Sequence, residues 1–111
     1  MERTGAFTSG ALIVTLVHFR SKGLLLDMAN FSGRHVLEIG CGDGRVTWLY
    51  ADKAAHVTAI EPSAKLITLA RQELPSYLQD RVEFHNATFE DFATASKPSA
   101  FDIVILSWSL C

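Results

Sequence analysis

The run His35-Val36-Leu37-Glu38-Ile39 stops abruptly on Gly40-Cys41-Gly42-Asp43-Gly44, and this junction restricts what the chain can fold into more than any other feature. A short apolar run bounded by glycines reads as a buried strand feeding a tight turn. Glycines at alternate positions let the main chain take positive φ and let a ligand approach it with no Cβ in the way. Arg45 to Lys53 follows with Val46, Leu49 and Tyr50 on one helical face, so strand, turn and helix succeed one another.

The alternation then repeats. His56 to Glu61 reads as a second strand, and Pro62 stands where a proline opens a helix without losing a needed hydrogen bond. Leu66, Ile67, Ala70 and Leu74 form the apolar stripe of that helix, which Pro75 limits. Arg81 to Asn86 alternates polar and apolar residues, as expected of an edge strand with one wet face. Phe101 to Leu106 is nearly all apolar, the pattern of a strand covered on both faces and flanked by neighbours. Strands alternating with helices predict an α/β fold, a Rossmann-like parallel sheet with strand order 3-2-1-4. In that order the fourth strand is an unprotected edge, so self-association through it is expected, and residues 1–111 read as one incomplete domain truncated after that strand.

The N-terminal third is expected to be a helical cap (1–33) ahead of the core (34–111). Thr8-Ser9-Gly10 opens a helix from Ala11 to Phe19, Ser21-Lys22-Gly23 breaks it before Leu24-Leu25-Leu26 with Met28 and Ala29, and Asn30-Phe31-Ser32-Gly33 forms a loop. No repeat or charge block divides the chain.

Composition narrows the partners. Ten Lys and Arg against twelve Asp and Glu leave no basic excess to neutralise many phosphates, which disfavours duplex nucleic acid. The apolar run Ala11 to Val17 falls far short of the roughly 20 residues of a membrane span. Cys41 and Cys111 do not make a disulfide framework and fit a reducing, cytoplasmic setting. His18, His35 and His56 lack a partner at ligand spacing and no Cys-x-x-Cys pattern is present, so no metal site is expected. His85 reads as a surface residue opposite Phe84. Cys41 has two readings, a small turn residue and a nucleophile beside a helix start.

Two acidic residues flank the glycine turn in space. Glu61 ends the second strand roughly 20 residues after the first glycine, the spacing at which a carboxylate meets vicinal ribose hydroxyls; the other reading is an acid favoured near a helix start. A dinucleotide fingerprint wants its third glycine at position 45, which is Arg45; the third glycine is Gly44. Glu38 inside the strand would repel a pyrophosphate and suit a cation.

Glu38-Ile39-Gly40-Cys41-Gly42-Asp43-Gly44 resembles the first motif of the class I S-adenosylmethionine-dependent methyltransferases. The resemblance runs from about Leu24 to Leu110 and takes in Glu61-Pro62-Ser63, Val82 to Asp91 and Phe101-Asp102-Ile103-Val104 in order. It implies S-adenosylmethionine as cofactor and in-line transfer of the sulfonium methyl to an unidentified acceptor. By matching position, Glu38 and the turn of Gly40, Cys41, Gly42 and Gly44 hold the methionine portion. Glu61, with Pro62 behind it, holds the ribose, and Ser107 and Trp108 line the pocket near the methyl group. Where the family often has an acid for the adenine amine, this chain has Thr88, leaving adenine to its hydroxyl or backbone with Phe89 or Ile60 as an apolar wall. Glu90 and Asp91 read as caps of the next helix. The resemblance points to no general base, and the chain alone is expected to hold the cofactor weakly at best and to catalyse nothing. Two rivals stand beside it: a fragment of an NAD-binding oxidoreductase, opposed by Arg45 and Glu38, and a non-catalytic module that pairs through the fourth strand.

Overall fold

The computed structural model describes residues 12–17, 30–95 and 101–108. Five strands, β1 (Leu12–Val17), β2 (His35–Ile39), β3 (His56–Ile60), β4 (Val82–His85) and β5 (Ile103–Trp108), form one parallel sheet in the order β1-β5-β2-β3-β4. The expected 3-2-1-4 core is the run β4-β3-β2-β5. Between β2 and β5, helices α1 (Thr47–Tyr50), α2 (Ala64–Glu73) and α3 (Phe89–Ala95) lie in the connections, with a 3₁₀ turn at Ser76–Leu78 before β4. Among the described residues no helix is long and apolar enough to cross a membrane.

Two expectations are corrected at the N-terminal end. Leu12–Val17 is a strand, not the middle of a helix. A short run of Leu, Ile and Val has no polar face to set a helical period, and periodicity alone does not separate a buried strand from a buried helix; pairing with an open sheet edge decides it. That edge is β5, whose far side β1 covers in parallel register from Leu12 beside Ile103 to Val17 beside Trp108. The fourth strand of the core is therefore flanked on both sides, and self-association through it loses its basis. The remainder of the expected Ala11 to Phe19 helix, the Ser21 to Gly23 break and the Leu24 to Ala29 cluster lie outside the described residues. The Asn30 to Gly33 loop is as expected, and its Phe31 is buried.

The sheet has a core on each face. On one, Val36, Val57, Ala59, Val82, Phe84, Ile103 and Ile105 meet Val46, Tyr50 and Ala51 around α1 and Ile67 and Ala70 of α2. On the other, Leu37, Ile60, Phe101 and Val104 take the half-buried Phe89 and Phe92 of α3. A slip of one residue would exchange the two sets. Asp102 pins the register at the start of β5: its N–H donates to the His35 carbonyl at 2.8 Å and its carboxylate accepts from the His35 N–H at 2.9 Å. That pin carries Ser107 to the level of Gly40.

The helices are shorter than the patterns suggested. Only Thr47–Tyr50 of the Arg45 to Lys53 stretch is helical. α2 opens on Ser63 rather than Pro62, because the Ser63 side chain accepts from the Leu66 N–H at 3.2 Å, and it ends at Leu74, which is extended before Pro75. β4 has the expected alternation, with Val82 and Phe84 inward and Glu83 exposed.

Glu83 accepts from His85 at 2.7 Å and from His56 at 2.8 Å, so the expected surface histidine and one of those expected to lack a partner share a carboxylate. Among the described residues no three ligands gather to hold a metal. The His85 bond first, then those effects of His56 that outweigh partial burial, hold the Glu83 carboxyl below its ordinary value of 4.5. The stability this contributes is present above that value and fades as pH falls through the lower folded one. Because the Glu83 side chain is half exposed, solvent screening keeps it small. Glu83→Gln is expected to cost under about 1 kcal/mol at neutral pH and to leave stability well below pH 4.5 unchanged, which flattens the acid limb of a thermal-midpoint profile.

Candidate cofactor-binding site

The C-terminal ends of β2, β3 and β5 lie side by side, and the glycine turn leaves the sheet there. Gly40 and Cys41 both donate to the Ile60 carbonyl, at 2.9 and 3.1 Å, which keeps the turn tied to β3 after the ladder ends. Gly40 has φ +79°, and a Cβ on it would sit 2.6 Å from the Ser107 carbonyl oxygen. Two strand ends pass too closely there for any side chain. Gly44, at φ +95°, is overlaid by the Trp48 ring, which continues edge-on to Phe84 at 5.8 Å and so packs α1 onto the sheet. Asp43 accepts from the Arg45 N–H at 3.2 Å and from its guanidinium at 2.9 Å, and these bonds hold the Asp43 carboxyl below its usual range.

Glu61 closes the corner. It is buried, its Oε1 accepts from the Gly42 N–H at 2.9 Å, and its Oε2 accepts from the Ser63 N–H at 3.0 Å. One carboxylate thus joins the glycine turn to the start of α2, which is what the roughly 20-residue spacing asks of it. Each oxygen keeps a lone pair beyond these bonds.

Glu38 is wholly buried on the face that also carries Ile105 and Ser107. Its Oε1 accepts from Thr47 Oγ1 at 2.7 Å and from Tyr50 Oη at 2.8 Å. Its Oε2, and the buried Oγ of Ser107, have no hydrogen-bond partner. Burial is the largest influence and pushes the Glu38 carboxyl up; the hydroxyls of Thr47, Tyr50 and Ser107 pull against it. The same burial, with the charge of Glu38, pushes the Tyr50 phenol up.

The nucleophile reading of Cys41 fails here. Its side chain is buried, and burial first, with the charges of Glu38 and Glu61 behind it, raises the thiol far above the reactive range. It is a small residue inside the turn.

The β4 end is tied to the same corner. Asn86 Nδ2 donates to the carbonyls of Glu61 and Pro62, both at 2.9 Å, and the Ala87 N–H donates to Glu61 O at 3.2 Å. Thr88 is exposed, and its hydroxyl accepts from the Asp91 N–H at 3.1 Å, so it caps α3. Glu90 and Asp91 occupy the first turn, where negative charge is favoured, rather than the cap itself. Phe89 packs on the cluster that contains Ile60, so the two expected walls belong to one apolar group. The side chain of Trp108 lies outside the described residues.

Glu38, Gly40, Cys41, Gly42, Gly44, Glu61, Pro62 and Ser107 thus gather at one corner, with Thr88 and Phe89 beside it across Asn86. Three residues of the site were not anticipated. Tyr50 read as part of an apolar stripe, and Thr47 and Asn86 drew no attention. The available signal was the spacing of Thr47 and Tyr50, which puts two hydroxyls on one side of a helical turn directly after a strand bearing a buried acid.

Residues 36–111 match the methyltransferase domain family, and the chain belongs to the class I S-adenosylmethionine-dependent methyltransferases. It is 42% identical over 76 residues to a ubiquinone biosynthesis O-methyltransferase of Aromatoleum aromaticum, covering 68% of this chain and 32% of that protein. It is 35% identical over 81 residues to a magnesium-protoporphyrin O-methyltransferase of Rhodobacter capsulatus, covering 73% and 34%. Among solved structures, an S-adenosylmethionine dependent methyltransferase from Listeria monocytogenes superposes with a TM-score of 0.61 at 25% identity, over 77% of this chain and 39% of that one. The chain spans about a third of the length of these curated relatives. Family membership removes the nicotinamide rival, consistent with Arg45 standing exposed where a third glycine would be needed.

Proposed function

We propose that this chain carries the cofactor-binding part of an S-adenosylmethionine-dependent methyltransferase, and that it works in the cytoplasm. The observation that carries the reading is the 2.9 Å bond between Glu61 and the Gly42 N–H, which unites the glycine turn and the second acid into one pocket corner. The free Cys41 thiol supports a reducing setting.

The residues fit the cofactor on three counts. Glu61 is held rigidly by two backbone donors and keeps acceptor capacity for a pair of vicinal hydroxyls. Glu38 Oε2 and Ser107 Oγ are buried acceptors in need of donors, which an ammonium group supplies. Gly40 leaves the main chain bare where the strands converge. In this reading Pro62, Thr88, Phe89 and Ile60 flank the adenine, and Asn86 sets their distance from Glu61.

When bound, the sulfonium supplies both the electrophilic methyl carbon and its leaving group, so the protein is asked for placement and dryness rather than covalent chemistry. Glu38 would anchor the amino-acid end of the cofactor and Glu61 its ribose, and the buried glycine turn would keep water from its back. In-line placement of a nucleophile is worth up to about 7–11 kcal/mol in ideal cases. A general base is required only where the accepting atom arrives protonated. Both relatives named above are O-methyltransferases, so oxygen acceptors are the first to assay.

Thermal-shift measurements with S-adenosylmethionine, S-adenosylhomocysteine and NAD in parallel test the reading, because a ligand that binds only the folded form raises its apparent stability. The two sulfur compounds are expected to raise the midpoint and NAD to leave it unchanged. Glu61→Ala is expected to abolish most of the rise. Stabilisation by NAD alone overturns the reading.

A further inference from the structure

The Glu38 carboxylate is held asymmetrically. Thr47 and Tyr50 spend their only hydroxyl protons on the same oxygen, Oε1, at 2.7 and 2.8 Å, while Oε2 receives nothing. Two donors converging on one oxygen fix the rotation of the carboxyl group, which a single donor would leave freer. Neither donor has room to turn away. Thr47 is fully buried, and the Tyr50 ring is fully buried and stacked on Phe31 with centroids 4.8 Å apart and planes 22° from parallel.

The oxygen left over shares its surroundings with the buried Ser107 hydroxyl, which draws on the same carboxyl as a hydrogen-bond donor without closing a well-formed bond. A carboxylate oxygen and a hydroxyl buried near one another without a well-formed hydrogen bond are under-satisfied, and a donor-rich group arriving between them would complete both. Because Asp102 sets the level of β5, Ser107 reaches this place at the point where its carbonyl abuts Gly40.

We propose that Thr47 and Tyr50 are positioning residues, which turn the free oxygen of Glu38 together with the Ser107 hydroxyl toward the amino-acid end of the cofactor. The inference rests on the reading given under Proposed function. Neither hydroxyl touches the cofactor; each acts through Glu38.

Two ligands separate positioning from general support of the fold. S-adenosylhomocysteine carries the amino-acid end, and 5′-methylthioadenosine has the same adenosine and sulfur without it. In NMR titrations extended to millimolar ligand, Tyr50→Phe, which keeps the stacked ring, is expected to weaken S-adenosylhomocysteine about tenfold, the size of one hydrogen bond to a charged group, and to leave 5′-methylthioadenosine within about twofold. Thr47→Val is expected to behave likewise and Thr47→Ser to restore wild-type binding, which keeps the test decisive should Tyr50→Phe fail to fold. Equal weakening of both ligands, or of neither, overturns the proposal.

A ligand-free readout distinguishes its failure from failure of the functional reading. Followed by the Glu38 side-chain carbonyl resonance, the carboxyl titration is expected to move to higher pH in Tyr50→Phe, because a donor to the ionised form is gone. An unmoved titration defeats the positioning role even where the cofactor binds. Absence of binding by the unsubstituted chain defeats the functional reading while the titration still decides whether the hydroxyls govern Glu38.

Discussion

Glu38→Gln is expected to stabilise the ligand-free protein and to cripple cofactor binding. The amide oxygen still accepts from Thr47 and Tyr50, and the new amide N–H₂ gives the Ser107 hydroxyl the partner it lacks. An unsatisfied buried polar group costs about 1–3 kcal/mol, so a gain of about 1–2 kcal/mol is expected where Glu38 is ionised, or roughly 4–16 °C in midpoint for a domain of this size. The sign depends on pH. Burial raises the folded-state Glu38 carboxyl, so its contribution to stability is full below its ordinary value of 4.5 and is lost as pH rises through the raised value. The glutamine variant has no such loss, and its advantage over wild type is expected to grow as pH rises from 4.5 through the raised value and then to level off. Binding changes in the other direction. Replacing a charged acceptor by an amide donor is expected to weaken S-adenosylhomocysteine about 10- to 150-fold. Thermal melts across pH with and without ligand check both halves. A variant less stable than wild type at every pH would make Glu38 a structural anchor instead of an acid held unsatisfied for a ligand.

The second large effect is expected at Gly40. Alanine there meets the left-handed backbone penalty of about 1–2 kcal/mol and sets its Cβ 2.6 Å from the Ser107 carbonyl oxygen, a contact between two central strands that neither relieves by a side-chain rotation. Overpacking of that kind costs about 1–3 kcal/mol more. The total of about 2–5 kcal/mol is a large part of the roughly 5–15 kcal/mol that holds a typical domain together. Gly33→Ala isolates the backbone part, because Gly33 has φ +70° with nothing within 4 Å of its Cβ position. Gly44→Ala falls between, since the obstacle is the Trp48 ring, a side chain with some freedom to move. Urea melts are expected to rank the losses Gly40, then Gly44, then Gly33. Equal losses at Gly40 and Gly33 would mean that β2 and β5 separate readily at this end, and the tight corner would lose its physical basis.

The site was legible where chemistry follows from local order. Glycines after a short apolar run mark a turn whatever surrounds it, and an acid at the next strand end lies near that turn because parallel strands point the same way. Thr88 shows where this stops: its place after β4 was readable, but its use as the cap of α3 depends on where that helix begins. The donors to Glu38 were hidden for a related reason. Tyr50 counts as apolar in a helical stripe, and only the approach of α1 to the sheet turns its hydroxyl onto a carboxylate.

The order of residues by itself determined the βα alternation, the parallel core, the bare glycine corner and the acid that closes it, because each depends on backbone freedom or on contacts set by neighbouring segments. Tertiary structure alone decided that Leu12–Val17 is a strand, since an apolar run without period takes the shape of the partner it meets, and here the partner is the open edge of β5. It also decided which polar groups are buried together, because a side chain's hydrogen-bonding role is set by elements far off in sequence that arrive beside it only on folding.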